Sequence, residues 1–141
     1  MLFIYFVMAD YPVWDQHIKW IKKDELESYK MIDNLRSTLG DVAPKIIKIC
    51  IDPDKRFNCD YVIITERYSS TLKEIMKMDY EKAMDILYRA KELVQELHKL
   101  KILHTDLHES NIIYDEPTDR VSLIDFDGTI NLTNFLKKVS A

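Results

Sequence analysis

The sequence predicts an α+β fold, and three observations carry the prediction. Up to residue 66 the apolar residues come in short β-favouring runs, at 2–8, 14–21, 45–51 and 61–64, separated by turn signals such as Asp10-Tyr11-Pro12 and Asp52-Pro53-Asp54-Lys55. Between 79 and 100, Ala83, Ile86, Leu87, Ala90, Leu93, Val94, Leu97 and Leu100 recur at steps of three and one, which sets them along one stripe of a helix. Beyond that helix, the apolar pairs Ile112-Ile113 and Leu123-Ile124 alternate with polar segments rich in His, Asp and Asn.

Composition bounds the class. With 141 residues, 47% of them hydrophobic, the chain can bury one core, so a single domain over 1–141 is expected. The 20 basic and 24 acidic residues leave a net charge of −4 with no long run of either sign, so bulk charge recruits neither nucleic acid nor an anionic membrane. The run at 2–8 is too short to span a bilayer, and it lacks the basic flank and cleavage site of a signal peptide. A buried strand is expected there, and a cytoplasmic setting, or the host-cell cytoplasm for a viral or effector protein. Cys50 and Cys59 flank a turn and can face each other across a hairpin, but with no export signal reduced core thiols are expected.

Taken in order, the runs at 2–8 and 14–21 suggest an opening hairpin. A helix is expected over 24–39, with Asp24 and Glu27 at capping-box spacing, Gly40 as its stop, and Leu26, Tyr29, Ile32, Leu35 and Leu39 on one stripe. Glu25 falls in the middle of that stripe, whereas Glu27 points nearly the opposite way. A carboxylate on a buried face wants a cationic partner, although the first turn of a helix also favours acidic residues through its dipole. Ala43-Pro44 opens a loop into the run at 45–51. Thr71-Leu72-Lys73-Glu74 forms a capping box for a short helix, and Asp79 caps the long one.

The densest chemistry lies in Leu103-His104-Thr105-Asp106-Leu107-His108-Glu109-Ser110-Asn111-Ile112-Ile113 and, after a short gap, Leu123-Ile124-Asp125-Phe126-Asp127-Gly128. Asp106 and Asn111 stand five positions apart, and Asp125 follows fourteen beyond the Asn. One Asp to orient a hydroxyl, with an Asn and a second Asp to hold a hard cation, are the parts that phosphoryl transfer needs. The pattern resembles the H-x-D-(L)-x-x-x-N and D-F-G motifs of the protein-kinase-like superfamily. The wording His-Thr-Asp-Leu-His-x-x-Asn and Ile-Asp-Phe-Asp is closer to its atypical branches: the Rio-type and small archaeal kinases, and the aminoglycoside and choline phosphotransferases.

That resemblance implies a truncated protein-kinase-like fold, with a small lobe of short antiparallel strands and one helix over 1–66 and a partial helical large lobe over 67–141. It implies ATP and Mg²⁺ as cofactors, with Asp106 accepting the proton of the attacking hydroxyl or orienting it and Asn111 and Asp125 coordinating Mg²⁺. His104 would hold the loop. A strand lysine would meet the phosphates; Lys19 is the candidate and Lys22 its rival, and either can equally be a solvated strand residue. Glu25, or alternatively Glu27, would pair with that lysine. Residues 65–68 would form a hinge whose main chain reads the adenine edge, placing Glu66 and Tyr68 beside the nucleotide. Thr105 stands where Arg or Gly is common, and His108 where small-molecule phosphotransferases often have His.

The chain departs from the pattern in three ways. Its only glycines are Gly40 and Gly128, so no glycine-rich loop is encoded; Asp127 replaces the Gly of D-F-G; and the residues after Gly128 leave no room for an activation segment or the helices that complete a large lobe. Apolar faces are therefore expected to be exposed. Three functions fit: a minimal ATP/Mg²⁺-dependent phosphotransferase acting on protein or a small hydroxyl compound, a non-catalytic mimic (a pseudokinase) that binds and regulates a kinase or other signalling protein, and a nucleotide-binding remnant or fragment. Expected partners are a nucleotide, a protein substrate or partner kinase, and a second copy through the exposed faces, with no nucleic acid and no membrane. Two other readings of the same residues exist. His104, Asp106 and His108 at two-residue steps can form a transition-metal set. Asp125-Phe126-Asp127-Gly128-Thr129 also resembles the D-x-D-G-T motif of haloacid-dehalogenase-type phosphatases, whose further motifs lie well downstream and are not in this chain.

Overall fold

The computed structural model describes residues 16–140. The strand expected at 2–8 and the turn after it lie outside the described residues. A first sheet is built from β1 (Gln16–Ile21), β2 (Ile46–Ile51) and β3 (Tyr61–Glu66), antiparallel throughout, with β3 in the middle. Val62, Ile63 and Ile64 are all buried, as an unbroken apolar run requires when both faces of a central strand are covered. The register sets Lys19 opposite Ile63, and Ile18 and Trp20 opposite Ile64 and Val62. Because side chains alternate along a strand, Lys19 shares a face with Ile21 and Ile63, the face on which Leu26 of the next helix packs. Lys22 falls beyond the strand, at the start of the next helix.

Helix α1 (Lys23–Leu39) starts a residue earlier than expected. Its cap is Lys22, extended at φ −83° and ψ 161°, and the Lys22 N–H donates to the Glu25 carboxylate at 2.8 Å. The capping pair is thus Lys22 and Glu25, not Asp24 and Glu27. The helix stops at Gly40, which takes φ 70° and donates its N–H to Arg36 O at 3.0 Å, a left-handed exit that glycine adopts without steric cost.

The second half opens with β4 (Ser70–Thr71) and α2 (Leu72–Met78), whose cap Thr71 accepts from the Glu74 N–H at 3.2 Å. Asp79 accepts from the Lys82 N–H at 3.0 Å and starts α3 (Tyr80–Lys99). Ala83, Ile86, Ala90 and Leu97 of α3 are buried, whereas Leu87 and Leu100, expected on the same stripe, are exposed. Four short strands follow: β5 (Ile102–Leu103), β6 (Ile112–Asp115), β7 (Arg120–Leu123) and β8 (Ile130–Asn131). β6 and β7 form a hairpin with β4 on its outer side, and β5 pairs with β8.

The chain then forms α4 (Leu132–Ser140), which the sequence reading did not foresee; none of its residues is buried, and Phe135, Leu136 and Val139 face outward. The result is an α+β kinase-like arrangement, a small antiparallel sheet lobe above a helical lobe, with one large core running from Ile32 and Val42 through α2 and α3 to Leu123 and Phe126. Cys50 and Cys59 are free thiols. No helix among the described residues is long and apolar enough to cross a membrane.

Candidate active site

Helix α3 delivers the chain into the loop 104–111, and His104 fixes its start. The ring is buried, packs against Phe126 at 4.9 Å between centroids, and has both nitrogens engaged. Nδ1 accepts from the Asp106 N–H at 3.2 Å, so Nε2 carries the proton and donates to Ile124 O at 2.6 Å. Neither nitrogen is left for a metal, which removes the His104/Asp106/His108 metal set. Thr105 is held at φ 77°, unusual for a β-branched residue, and its hydroxyl donates to Gly128 O at 2.8 Å.

Asn111 is buried at the far end of the loop. Its Nδ2 donates to Asp106 O at 2.8 Å, stands 3.4 Å from the Asp106 carboxylate, and lies 3.0 Å from His108 Nε2. With the amide nitrogen turned to the loop, Oδ1 points away from it. Ile124 stitches the loop to the next segment by donating its N–H to Asn111 O at 2.9 Å while accepting from His104.

Asp125, next in line, has φ 66°, and this left-handed kink swings its carboxylate towards the sheet lobe. Lys19 Nζ donates to Asp125 Oδ1 at 2.7 Å and lies 3.0 Å from Asp127 Oδ2. Burial alone lowers the pKa of the Lys19 ammonium, but hydrogen bonds to Asp125 and Asp127 outweigh it and raise the group above its ordinary value. Burial pushes the Asp125 carboxyl up, and Lys19 overrides this and holds it below the usual range. The Tyr29 hydroxyl, from α1, donates to Asp127 Oδ1 at 2.5 Å.

The expected Lys19–Glu25 pair does not form. Glu25 is turned back to cap α1, and the partners of Lys19 are the two aspartates. Glu27 is exposed. Glu66 and Tyr68 line a smaller cleft along the hinge, but their side chains are engaged with other elements. The Glu66 carboxylate is bound by Arg120 through two nitrogens at 3.1 and 3.0 Å and by the Lys45 N–H at 2.9 Å, while its own N–H donates to Lys45 O. Tyr68 is buried with its hydroxyl 3.0 Å from Ser122 Oγ. Both side chains fasten the end of β3 to β7.

Lys19, Asn111 and Asp125 line one cleft of about 320 Å³ between the lobes, with Tyr29 and Phe126 behind them. A smaller cleft of about 190 Å³ adjoins it, shares Thr65 and Ile124, and runs along the hinge to Thr71. The donor set suits Mg²⁺, which takes hard oxygen ligands and few of them from protein. The ammonium between Asp125 and Asp127 shows that these carboxylates already converge on a cation. Among the described residues no set of three or more His, Cys, Asp or Glu side chains forms a fuller metal cage.

The model of the lipopolysaccharide kinase (Kdo/WaaP) family matches residues 26–138, and the chain belongs to that family, a member of the protein-kinase-like superfamily. The match spans Asp106, Asn111 and Asp125 and begins after Lys19. Comparison with curated proteins gives no match.

Proposed function

We propose that this member of the lipopolysaccharide kinase (Kdo/WaaP) family is an ATP- and Mg²⁺-dependent phosphotransferase acting on a hydroxyl group. The observation that carries the reading is the convergence of Lys19, Asn111 and Asp125 on one interlobe cleft, with Asp106 held beside Asn111 at its edge. The cleft along the hinge takes the base, and Lys19 meets the phosphates. Asn111 Oδ1 and the Asp125 carboxylate hold Mg²⁺, whose charge offsets that of the phosphate oxygens.

Asp106 is exposed and has its backbone pinned at both ends, by His104 on its N–H and Asn111 on its carbonyl. Its carboxylate orients the acceptor hydroxyl and takes the proton as the hydroxyl oxygen bonds to the γ-phosphorus and ADP departs. Positioning matters more than basicity in such a loose transition state. The family's name makes a sugar hydroxyl of lipopolysaccharide the first acceptor to test, ahead of a protein hydroxyl.

The test is calorimetric titration of ATP with and without Mg²⁺ into this chain and into Asp125→Ala, followed by transfer of labelled phosphate to acceptors. Mg²⁺-dependent binding that the substitution abolishes supports the reading. Absence of binding in the unsubstituted chain overturns it.

A further inference from the structure

Helix α1 reaches the site through a neutral phenol rather than a carboxylate. Tyr29 lies one turn beyond Glu25, on the same face of the helix, and its hydroxyl donates to Asp127 Oδ1. The other oxygen of Asp127 is 3.0 Å from Lys19 Nζ, and that ammonium stands 5.5 Å from the centroid of the Tyr29 ring. The same ring meets Phe126 edge-on at 6.4 Å. One side chain of α1 therefore adjoins Lys19, Phe126 and Asp127 at once.

We propose that Tyr29 is a positioning residue. Its hydroxyl fixes the Asp127 carboxylate, and through Asp127 it fixes the Lys19 ammonium at the cleft. The physical reason lies in the two ends of a carboxylate. With one oxygen tied to Tyr29 and the other to Lys19, Asp127 cannot turn about its last torsion, and the long flexible stem of Lys19 is anchored at its tip. A carboxylate from α1 would meet Lys19 by adding a negative charge. The phenol orients without adding one, so among the described residues the ammonium pairs with Asp125 and Asp127, and a divalent cation taking Asp125 leaves Lys19 free to meet phosphate. What Lys19 does there rests on the phosphotransferase reading; where Tyr29 holds it does not.

Two measurements separate the inference from that reading. In the nucleotide-free protein, competitive acetylation read by mass spectrometry reports how far the Lys19 amine is shielded, with Lys22 and Lys23 as internal references. Tyr29→Phe keeps the ring against Phe126 and removes only the donor. It is expected to raise Lys19 labelling by about threefold or more, as is Asp127→Asn, and the double variant should add little to either, because both act through one link. Unchanged labelling in Tyr29→Phe, or additive effects in the double variant, overturns the proposal.

Should Tyr29→Phe prove too unstable to label, replacement of Tyr29 by 4-aminophenylalanine, which keeps a donor at the para position of the ring, is compared with Tyr29→Leu. Shielding in the first and loss in the second supports the role, and equal shielding overturns it. In parallel, ATP·Mg²⁺ affinity in Tyr29→Phe should fall by roughly tenfold. If the unsubstituted chain binds no ATP, the phosphotransferase reading fails, and the labelling comparison still decides the role of Tyr29.

Discussion

The ammonium of Lys19 lies 2.7 Å from the carboxylate of Asp125, a residue 106 positions later in the chain. That contact bridges the lobes, joining β1 to the turn after β7. The turn has a cost: Asp125 sits at φ 66°, a conformation that disfavours a non-glycine residue by about 1 kcal/mol or more. Two carboxylates brought to one point repel unless a cation lies between them, and β1 supplies it.

Removing that cation exposes the repulsion. Lys19→Ala is expected to lower stability by about 1–3 kcal/mol, between the ranges for exposed and buried ion pairs, since the partners are part-buried. Mg²⁺ alone should then restore more of the loss in the variant than it adds to the unsubstituted protein, because the metal replaces the ammonium. Thermal melts of both proteins with and without MgCl₂ read the difference. Equal Mg²⁺ effects would show that Asp125 and Asp127 do not share a cation.

Gly128 is required by its neighbour rather than by its backbone angles. A Cβ built on it would stand 2.6 Å from Thr105 Oγ1, closer than side chains tolerate, and Thr105 is fixed there by its bond to Gly128 O. Gly128→Ala should therefore cost about 1–3 kcal/mol as a local overpacking. Thr105→Gly relieves the clash and also the φ of 77°, so the double variant should be more stable than the sum of the single effects predicts. Urea unfolding of the four proteins in the cycle gives the coupling. Additivity would sink the steric account.

What the sequence made legible follows from how local each signal is. Helix α3 and the spacing of Asp106, Asn111 and Asp125 could be read because periodicity and motif spacing are properties of the chain alone. The capping of α1 could not, because lysine is no favoured cap and only the extended backbone of Lys22 turns Glu25 into a capping group. Tyr29 read as one more apolar member of the α1 stripe; its hydroxyl meets Asp127, 98 positions away, which no local pattern encodes. The side-chain ties of Glu66 and Tyr68 were illegible for the same reason, since their partners Arg120 and Ser122 lie on β7. The strand lysine was narrowed by alternation only once the end of β1 was known.

His104 is expected to act as architecture. Its two hydrogen bonds join the loop to Ile124, and its ring packs on buried Phe126, so His104→Ala leaves a void and an unpaired Ile124 carbonyl and should cost about 2–4 kcal/mol. His104→Gln, whose amide reaches the place of Nε2, keeps a donor for Ile124 O and should recover part of the loss. Urea midpoints rank the two variants. A His104→Ala protein as stable as the unsubstituted one would contradict the role.

Glu66 gives the acid side of the stability profile a specific origin. Burial pushes its carboxyl up, but the Arg120 guanidinium, the Lys45 N–H and Arg36 outweigh it and hold the group below its usual range. A carboxyl whose pKa is lower in the folded state contributes stability that is complete above its unfolded value, about 4.3. That contribution fades as the pH falls through the lower folded value, where the unfolded chain binds the extra proton. Arg120 stays charged throughout, so the loss belongs to Glu66. Glu66→Gln should accordingly be less stable than the unsubstituted protein by about 1–2 kcal/mol near neutrality, a part-buried, bidentate pair being worth more than an exposed one. The gap should close towards pH 3, where protonated glutamic acid and glutamine present similar neutral groups to Arg120. Urea unfolding of both proteins across that range reads the gap directly, and one that stays constant with pH would mean that the ion pair is not what ties β3 to β7.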